Sequence, residues 1–312
     1  MAQLKLLPAL LTFSLCNLFI SGVLSTTFTI LNKCDYTVWP GLLSGAGTAP
    51  LSTTGFALKQ GESRDVTLPS GWSGRVWGRT LCVQDSAGKF NCQTGDCATG
   101  DVECKGQNAL PPATLAEFTL DGADGLDFFD VSLVDGYNLP MLVAPQGGSG
   151  ANCTSTGCVV DLNGACPEAL KVTSADGKEG VACKSACEAF GDAQYCCSGA
   201  YNTPDTCKPS SYSDIFKKAC PTAYSYAYDD KTSTFTCASA DYLITFCPSP
   251  STSQKSSSEG QNGESTSSSS INGSMLYEGA GDASGASRTT CGHMQIVALA
   301  VVTAIWRLRQ LF

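Results

Sequence analysis

The sequence predicts a mainly β, disulfide-braced fold made for an oxidising compartment, and three observations carry the prediction. Through the first half, short apolar stretches are punctuated by glycine and proline, as in GLLSGAGTAPL and RDVTLPSGW, a spacing that no helical repeat survives. Of the 18 cysteines, Cys16 and Cys291 lie near the chain ends, and the other sixteen fall between Cys34 and Cys247, an even set that reads as up to eight disulfides. The N-terminus supplies the third observation. Lys5, an apolar run from Leu6 to Ile20 and small residues ending at Ser25 form the pattern of a secretory signal over residues 1–25. A membrane anchor is the alternative reading of that run, but it is shorter than the roughly 20 residues a spanning helix needs.

Individual elements follow from local patterns. From Thr26, TFTILNKC alternates Phe28 and Ile30 with Thr27 and Thr29, as a half-buried strand does, and YTVWP follows after a polar break. Strands are also predicted from Ser63 to Leu68 and from Gly74 to Leu81, so the first half reads as an all-β sandwich or barrel. The stretch GKFNCQTGDCATGDVECKG has four glycines and no long apolar run, which predicts a loop stapled by bridges. In VACKSACEAF, Cys183, Cys187 and Phe190 stand at i, i+4 and i+7, one face of a helix turned toward a small core. Bridges replace the apolar mass that such a small unit lacks.

Charge and histidine content exclude several kinds of chemistry. Residues 26–247 hold 14 Lys or Arg against 24 Asp or Glu, a net charge of −10, which makes nucleic acid and anionic lipid poor partners. A neutral polymer is easier to accommodate. The single histidine, His293, lies far downstream, so serine triads, papain-like thiol chemistry and histidine-ligated metals are disfavoured, and no metal or cofactor is expected. Any catalysis must rest on carboxylates.

Those carboxylates concentrate in ATLAEFTLDGADGLDFFDVSLVD, which holds Glu117, Asp121, Asp124, Asp127, Asp130 and Asp135. No Lys or Arg occurs between Lys105 and Lys171, so the fold must tolerate these charges without a base nearby in sequence. A symmetric hairpin around Gly122 and Gly125 pairs residues with a constant index sum and sets Glu117 opposite Asp130, with Cβ atoms about 5 Å apart. Two carboxylates so placed split their pKa values, as a glycosidase requires of its acid and its base. Asp121, Asp124 and Asp127 are expected to shape and solvate the turn. Tyr224, Tyr226 and Tyr228 share one face of a strand-like run, where they would stack on sugar rings or fill a core.

Gly88-x-Phe90-x-Cys92-x-Thr94-Gly95-Asp96-Cys97, with Gly100 and Cys104, resembles the signature of the thaumatin-like proteins, a plant pathogenesis-related family. GRVWGRT, PPATLAEF, DFFDVSLVDGYNLPM and CPTAYSYAYDDKTSTFTC resemble it too, and the matches extend over residues 26–247. The resemblance implies a β-sandwich core, a disulfide-rich second domain at about 153–237 with a helix around Gly180 to Phe190, and a small third domain of stapled loops at about 81–111. It also implies eight bridges: Cys34 with Cys247, Cys82 with Cys92, Cys97 with Cys104, Cys153 with Cys237, Cys158 with Cys220, Cys166 with Cys183, Cys187 with Cys196, and Cys197 with Cys207. The family's acidic cleft maps onto Arg75, Glu117, Asp130, Asp135 and Asp229. Singly, each has a structural reading: an ion pair for Arg75, a turn for Asp135-Gly136, a solvated loop for Asp229-Asp230.

The function so implied is a secreted, monomeric, antifungal defence protein that binds β-1,3-glucan or another cell-wall polysaccharide. Weak endo-β-1,3-glucanase activity would use Glu117 as proton donor with Asp130 assisting. The alternative is a non-catalytic surface module, or an inhibitor, whose acids recognise a protein or wall polymer. After Cys247 the composition turns serine-rich over 248–281, a disordered spacer by composition, with an N-glycosylation sequon at Asn272 and another at Asn152. Residues 282–312 run from small residues through a polar stretch to an apolar run at Ile296 to Trp306, an order that resembles a glycosylphosphatidylinositol attachment signal, although Arg307 and Arg309 follow the run. Contact with a membrane is expected only through such an anchor.

Overall fold

A computed structural model describes residues 25–249. The segment expected to be a signal (all but Ser25), the serine-rich stretch with Asn272 from residue 250 onward, and the C-terminal tail therefore lie outside the described residues. In chain order the strands are β1 (Thr26–Asn32), β2 (Trp39–Ser44), β3 (Ser63–Leu68), β4 (Ser73–Gln84), β5 (Phe90–Thr94), β6 (Leu115–Thr119), β7 (Asp127–Ser132), β8 (Met141–Ser149), β9 (Thr156–Cys158), β10 (Lys171–Thr173), β11 (Gly180–Cys183) and β12 (Phe235–Phe246). Short helices α1 (Ala186–Phe190), α2 (Ala193–Cys196), α3 (Ser211–Ala219) and α4 (Asp230–Ser233) fall between the last two strands.

The main sheet runs β2-β4-β6-β7-β12-β1-β3, with β8 also on β12 and β5 on the far end of β4. β12 joins two layers. Its residues Phe235, Thr236 and Cys237 pair with β7, and from Ala238 onward it pairs with β8, the strand turning at Ser239, whose φ is +56°. β1 lies parallel to β12 on its other side. A strand that changes neighbours at such a bend is how a sandwich turns a corner. Between the layers, Phe28, Phe118, Phe129 and Tyr242 are at most 4% exposed and pack on one another, with the Phe28 and Phe118 ring centres 4.3 Å apart.

All eight implied disulfides are present. Two of them staple the loop region after β4. Arg79 ties that region to the sheet: its guanidinium is fully buried and donates to the carbonyls of Trp39, Pro40 and Val102. Burial pulls its pKa down to about 10. The sequon at Asn152 is exposed, but its amide donates to Thr234 O at 2.8 Å and Cys153 is bridged to Cys237.

Two local expectations are corrected. The helix expected around Gly180 to Phe190 is only Ala186–Phe190, because Ser185 caps it by accepting from the Glu188 amide. Upstream, the Cys183 backbone is committed to β10 and to Tyr137, so residues 180–183 are strand. Tyr224, Tyr226 and Tyr228 do not share a strand face. The segment is a series of turns with one isolated bridge, Tyr224 to Ser132; the Tyr224 hydroxyl donates to Asp230, the Tyr228 hydroxyl to Asn202 O, and Tyr226 borders a hollow with Val134 and Phe216.

Cys34–Cys247 closes a separation of 213 residues and joins the ends of the domain. Replacing both cysteines with alanine is expected to cost about 3–5 kcal/mol. Circular-dichroism melts should then show a midpoint lower by roughly 10 °C; an unchanged midpoint would contradict the role given to this bridge.

Candidate functional site

Alternation along β6 and β7 builds the site. In DFFDVS, Phe129 and Val131 point into the core while Phe128 and Asp130 point out; in LAEFT, Phe118 points in and Glu117 out. The register pairs Arg75 with Glu117 and Glu117 with Asp130, so three charged side chains from β4, β6 and β7 form one row across the outer face. The index-sum expectation for Glu117 and Asp130 thus holds in the strand pairing. Leu43 on β2 ends the row beside Arg75.

Arg75 Nη2 lies 2.9 Å from Glu117 Oε1, each side chain about 31% exposed. Asp130 has no such partner, and its Oδ1 is buried without a hydrogen bond. Burial and the adjacent Glu117 charge push the Asp130 carboxyl up to about 8, with Arg75 only partly opposing them. Glu117 is also raised by burial, but the Arg75 guanidinium pulls it back.

Two hollows flank the row and share Arg75, Glu117 and Asp130. One, of about 570 Å³, is bordered by Leu43, Ser73, Asn108, Thr119 and Phe128. The other, of about 440 Å³, is bordered by Ser132, Asp135, Tyr224 and Asp230. Asp135 reaches it from a tight turn in which Gly136 has φ +84°; a Cβ there would lie 2.7 Å from Cys183 O, so the turn requires glycine.

Of the five residues expected in the cleft, Arg75, Glu117, Asp130 and Asp135 come together and Asp229 does not. Asp229 pairs with Lys217 at 2.9 Å and accepts from the Ser225 amide and hydroxyl. Its neighbour Asp230 faces the hollow and accepts from the Tyr224 hydroxyl at 2.9 Å. The Asp229–Lys217 pair anchors the loop and so positions Asp230. Asp127, expected to solvate the turn, is instead 3% exposed and accepts from the Tyr242 hydroxyl and the Asp121 amide. Phe128 and Thr119 were not anticipated as wall residues, although their place two positions from Asp130 and Glu117 puts them on the same face. Among the described residues, no group of three or more His, Cys, Asp or Glu could hold a metal ion.

The Asp130 environment has a measurable consequence. An unfolded aspartate titrates near about 3.9, so the raised folded value is a contribution fully present below that pH and lost as pH rises through about 8. Asp130→Asn removes the loss. Its thermal midpoint should match the parent at pH 3.5 and exceed it by roughly 3 °C or more at pH 8; an equal difference at both pH values would contradict the assignment.

The Thaumatin family's sequence profile matches residues 32–248. The chain is 56% identical over 241 residues to "Thaumatin-like protein 1a" of Malus domestica, covering 77% of this chain and 97% of that protein. It is 58% identical over 227 residues to "Pathogenesis-related protein 5" of Arabidopsis thaliana, covering 73% and 92% respectively. To the "PR5-like receptor kinase" of Arabidopsis thaliana it is 53% identical over 248 residues, 78% of this chain, and it spans only 37% of that protein's length. With the family profile matching residues 32–248 and these identities behind it, this chain belongs to the thaumatin family.

Proposed function

We propose that the protein is an extracellular plant defence protein whose acidic cleft binds the β-1,3-glucan of fungal cell walls, with weak endo-β-1,3-glucanase activity at the same acids. The observation that carries this reading is the Arg75–Glu117–Asp130 row shared by two hollows, room for a polymer to cross the charged centre in both directions. Carboxylates and a guanidinium offer acceptors and donors to sugar hydroxyls, while the net charge of −10 over residues 26–247 discourages polyanions. The bridge density and the pathogenesis-related relatives support an extracellular setting, either free or held by a glycosylphosphatidylinositol anchor on the C-terminal segment.

In hydrolysis, Asp130 gives its proton to the glycosidic oxygen as the C–O bond breaks, and a water molecule then adds to the anomeric carbon and returns a proton to Asp130. Glu117, ion-paired with Arg75, faces the developing positive charge on the sugar. This reverses the roles expected of the two residues, because the arginine sits on Glu117 and not on Asp130. The same ion pair ties up the Glu117 carboxylate, so turnover is slow and binding is the main activity. A second, purely recognitive reading is favoured by the relative named as a receptor kinase, in which the matched domain is a minority of the chain.

The full chain, made in a secretory host, should co-sediment with insoluble β-1,3-glucan and release reducing ends slowly at pH 5. Asp130→Asn should lower release by about 100-fold or more while binding stays within about threefold. No co-sedimentation of the parent would overturn the reading, and binding without turnover from pH 4 to 8 would leave the recognitive one.

A further inference from the structure

The Arg75–Glu117–Asp130 row does not stop at β7. β12 starts beside that strand, with Phe235 paired to Phe129 and Thr236 to Phe128, so Thr234, one residue before β12, stands at the level of Asp130. The Thr234 hydroxyl lies 2.5 Å from that of Tyr224, which borders the second hollow and donates to Asp230. The Thr234 carbonyl is used differently: it accepts from the side-chain amide of Asn152 at 2.8 Å. The Thr236 amide donates to Asn152 O at 3.4 Å and Cys153 is bridged to Cys237, so the Asn152 turn is fastened to the first residues of β12. Asn152 thus stands at the end of the acid row, just beyond the strand next to Asp130.

Asn152-Cys153-Thr154 has the residue pattern that N-glycosylation requires, and the fold leaves both ends of the motif usable. Asn152 and Thr154 are exposed, and the Thr154 hydroxyl makes no hydrogen bond among the described residues. A side-chain amide carries two hydrogens. The bond to Thr234 O uses one and leaves the other as the position a sugar takes. The bridge at Cys153 does not forbid the reaction. Cys237 lies 84 residues downstream, and at about 5–20 residues per second it is added roughly 4–17 s after Cys153, so Asn152 meets the secretory transferase on an unbridged chain. In that step Asn152 Nδ2 bonds C1 of an oligosaccharide carried on a lipid pyrophosphate; the lipid pyrophosphate leaves and one amide proton goes to solvent.

We infer that Asn152 carries an N-linked glycan that stands at the Thr234 end of the acid row and screens that end from bulky partners. The part of the cleft nearest to it is the Tyr224–Asp230 wall of the second hollow, reached through Thr234. The larger hollow extends to Leu43 on β2, four strands from β12 in the sheet order. A branched, hydrophilic glycan so placed acts by volume: a slender chain enters from the β2 side, while a wide polymer or a folded protein is turned away from the β12 side. The screen acts on any bulky partner and does not depend on polysaccharide binding.

The test uses the full chain from a glycosylating secretory host. Glycopeptide mass spectrometry should find Asn152 occupied in the parent and in Thr154→Ser, and bare in Thr154→Ala. Carbodiimide coupling of Asp230 to an amine-ended polyethylene glycol should then be faster in Thr154→Ala than in the parent by about threefold or more, with Thr154→Ser as slow as the parent. Methylamine, small enough to pass the glycan, should label Asp230 equally in all three. Glu168, whose side chain is 86% exposed, serves as the internal control. A bare Asn152 in the folded, secreted parent would overturn the proposal at its first step, and equal polymer coupling of Asp230 in the glycosylated parent and Thr154→Ala would overturn the screen. Neither result depends on glucan co-sedimentation, whose failure counts against the polysaccharide reading alone.

Discussion

The pairing register of β4, β6 and β7 is the constraint on which the rest of the site depends. Arg75, Glu117 and Asp130 meet only because each strand offers its charged residue at the same level, and a slip of one residue would reverse the faces. Glu117 and Asp130 would then enter the core, and Phe118 and Phe129 would leave it. The inward aromatic set therefore fixes the outward charged set. Phe28, Phe118, Phe129 and Tyr242 interlock at ring separations of 4.3 to 6.2 Å, so the register that buries them is strongly preferred over its alternatives.

That outward row is costly in isolation, since one arginine faces two carboxylates and Asp130 Oδ1 is buried without a partner. Keeping a proton on Asp130 relieves the repulsion. The same proton makes the row chemically asymmetric: a neutral acid beside an arginine-held carboxylate. Binding of a neutral, hydroxyl-rich polymer and a slow acid-assisted cleavage are the two uses to which such a pair is suited. Around it, the Asp229–Lys217 pair holds the rim without joining the centre, while the Asp135-Gly136 turn brings Asp135 into the second hollow.

Features with a local cause are legible in the amino-acid sequence. The opposition of Glu117 and Asp130 follows from the symmetry of a hairpin, and the strand at Thr26–Asn32 follows from the alternation of Phe28 and Ile30 with threonines. The bridge pattern comes from family resemblance, because spacing cannot choose among so many pairings. Features that depend on distant partners are not legible in the same way. The helix before Phe190 is short because Cys183 pairs with Tyr137, 46 positions earlier in the chain. Asp127 is buried because Tyr242 reaches it from β12, and Asp230 replaces Asp229 at the cleft because Lys217 on α3 claims the latter. Phe128 escapes notice because, in a sequence, an outward phenylalanine beside an inward one is indistinguishable from a second core residue.

Carboxyl carbon-13 NMR titration of the protein alone tests the central claim most directly. The account predicts that the Asp130 carboxyl stays protonated through neutral pH and titrates near 8. An Asp130 carboxyl that ionises near about 4, as in an unstructured peptide, would contradict it.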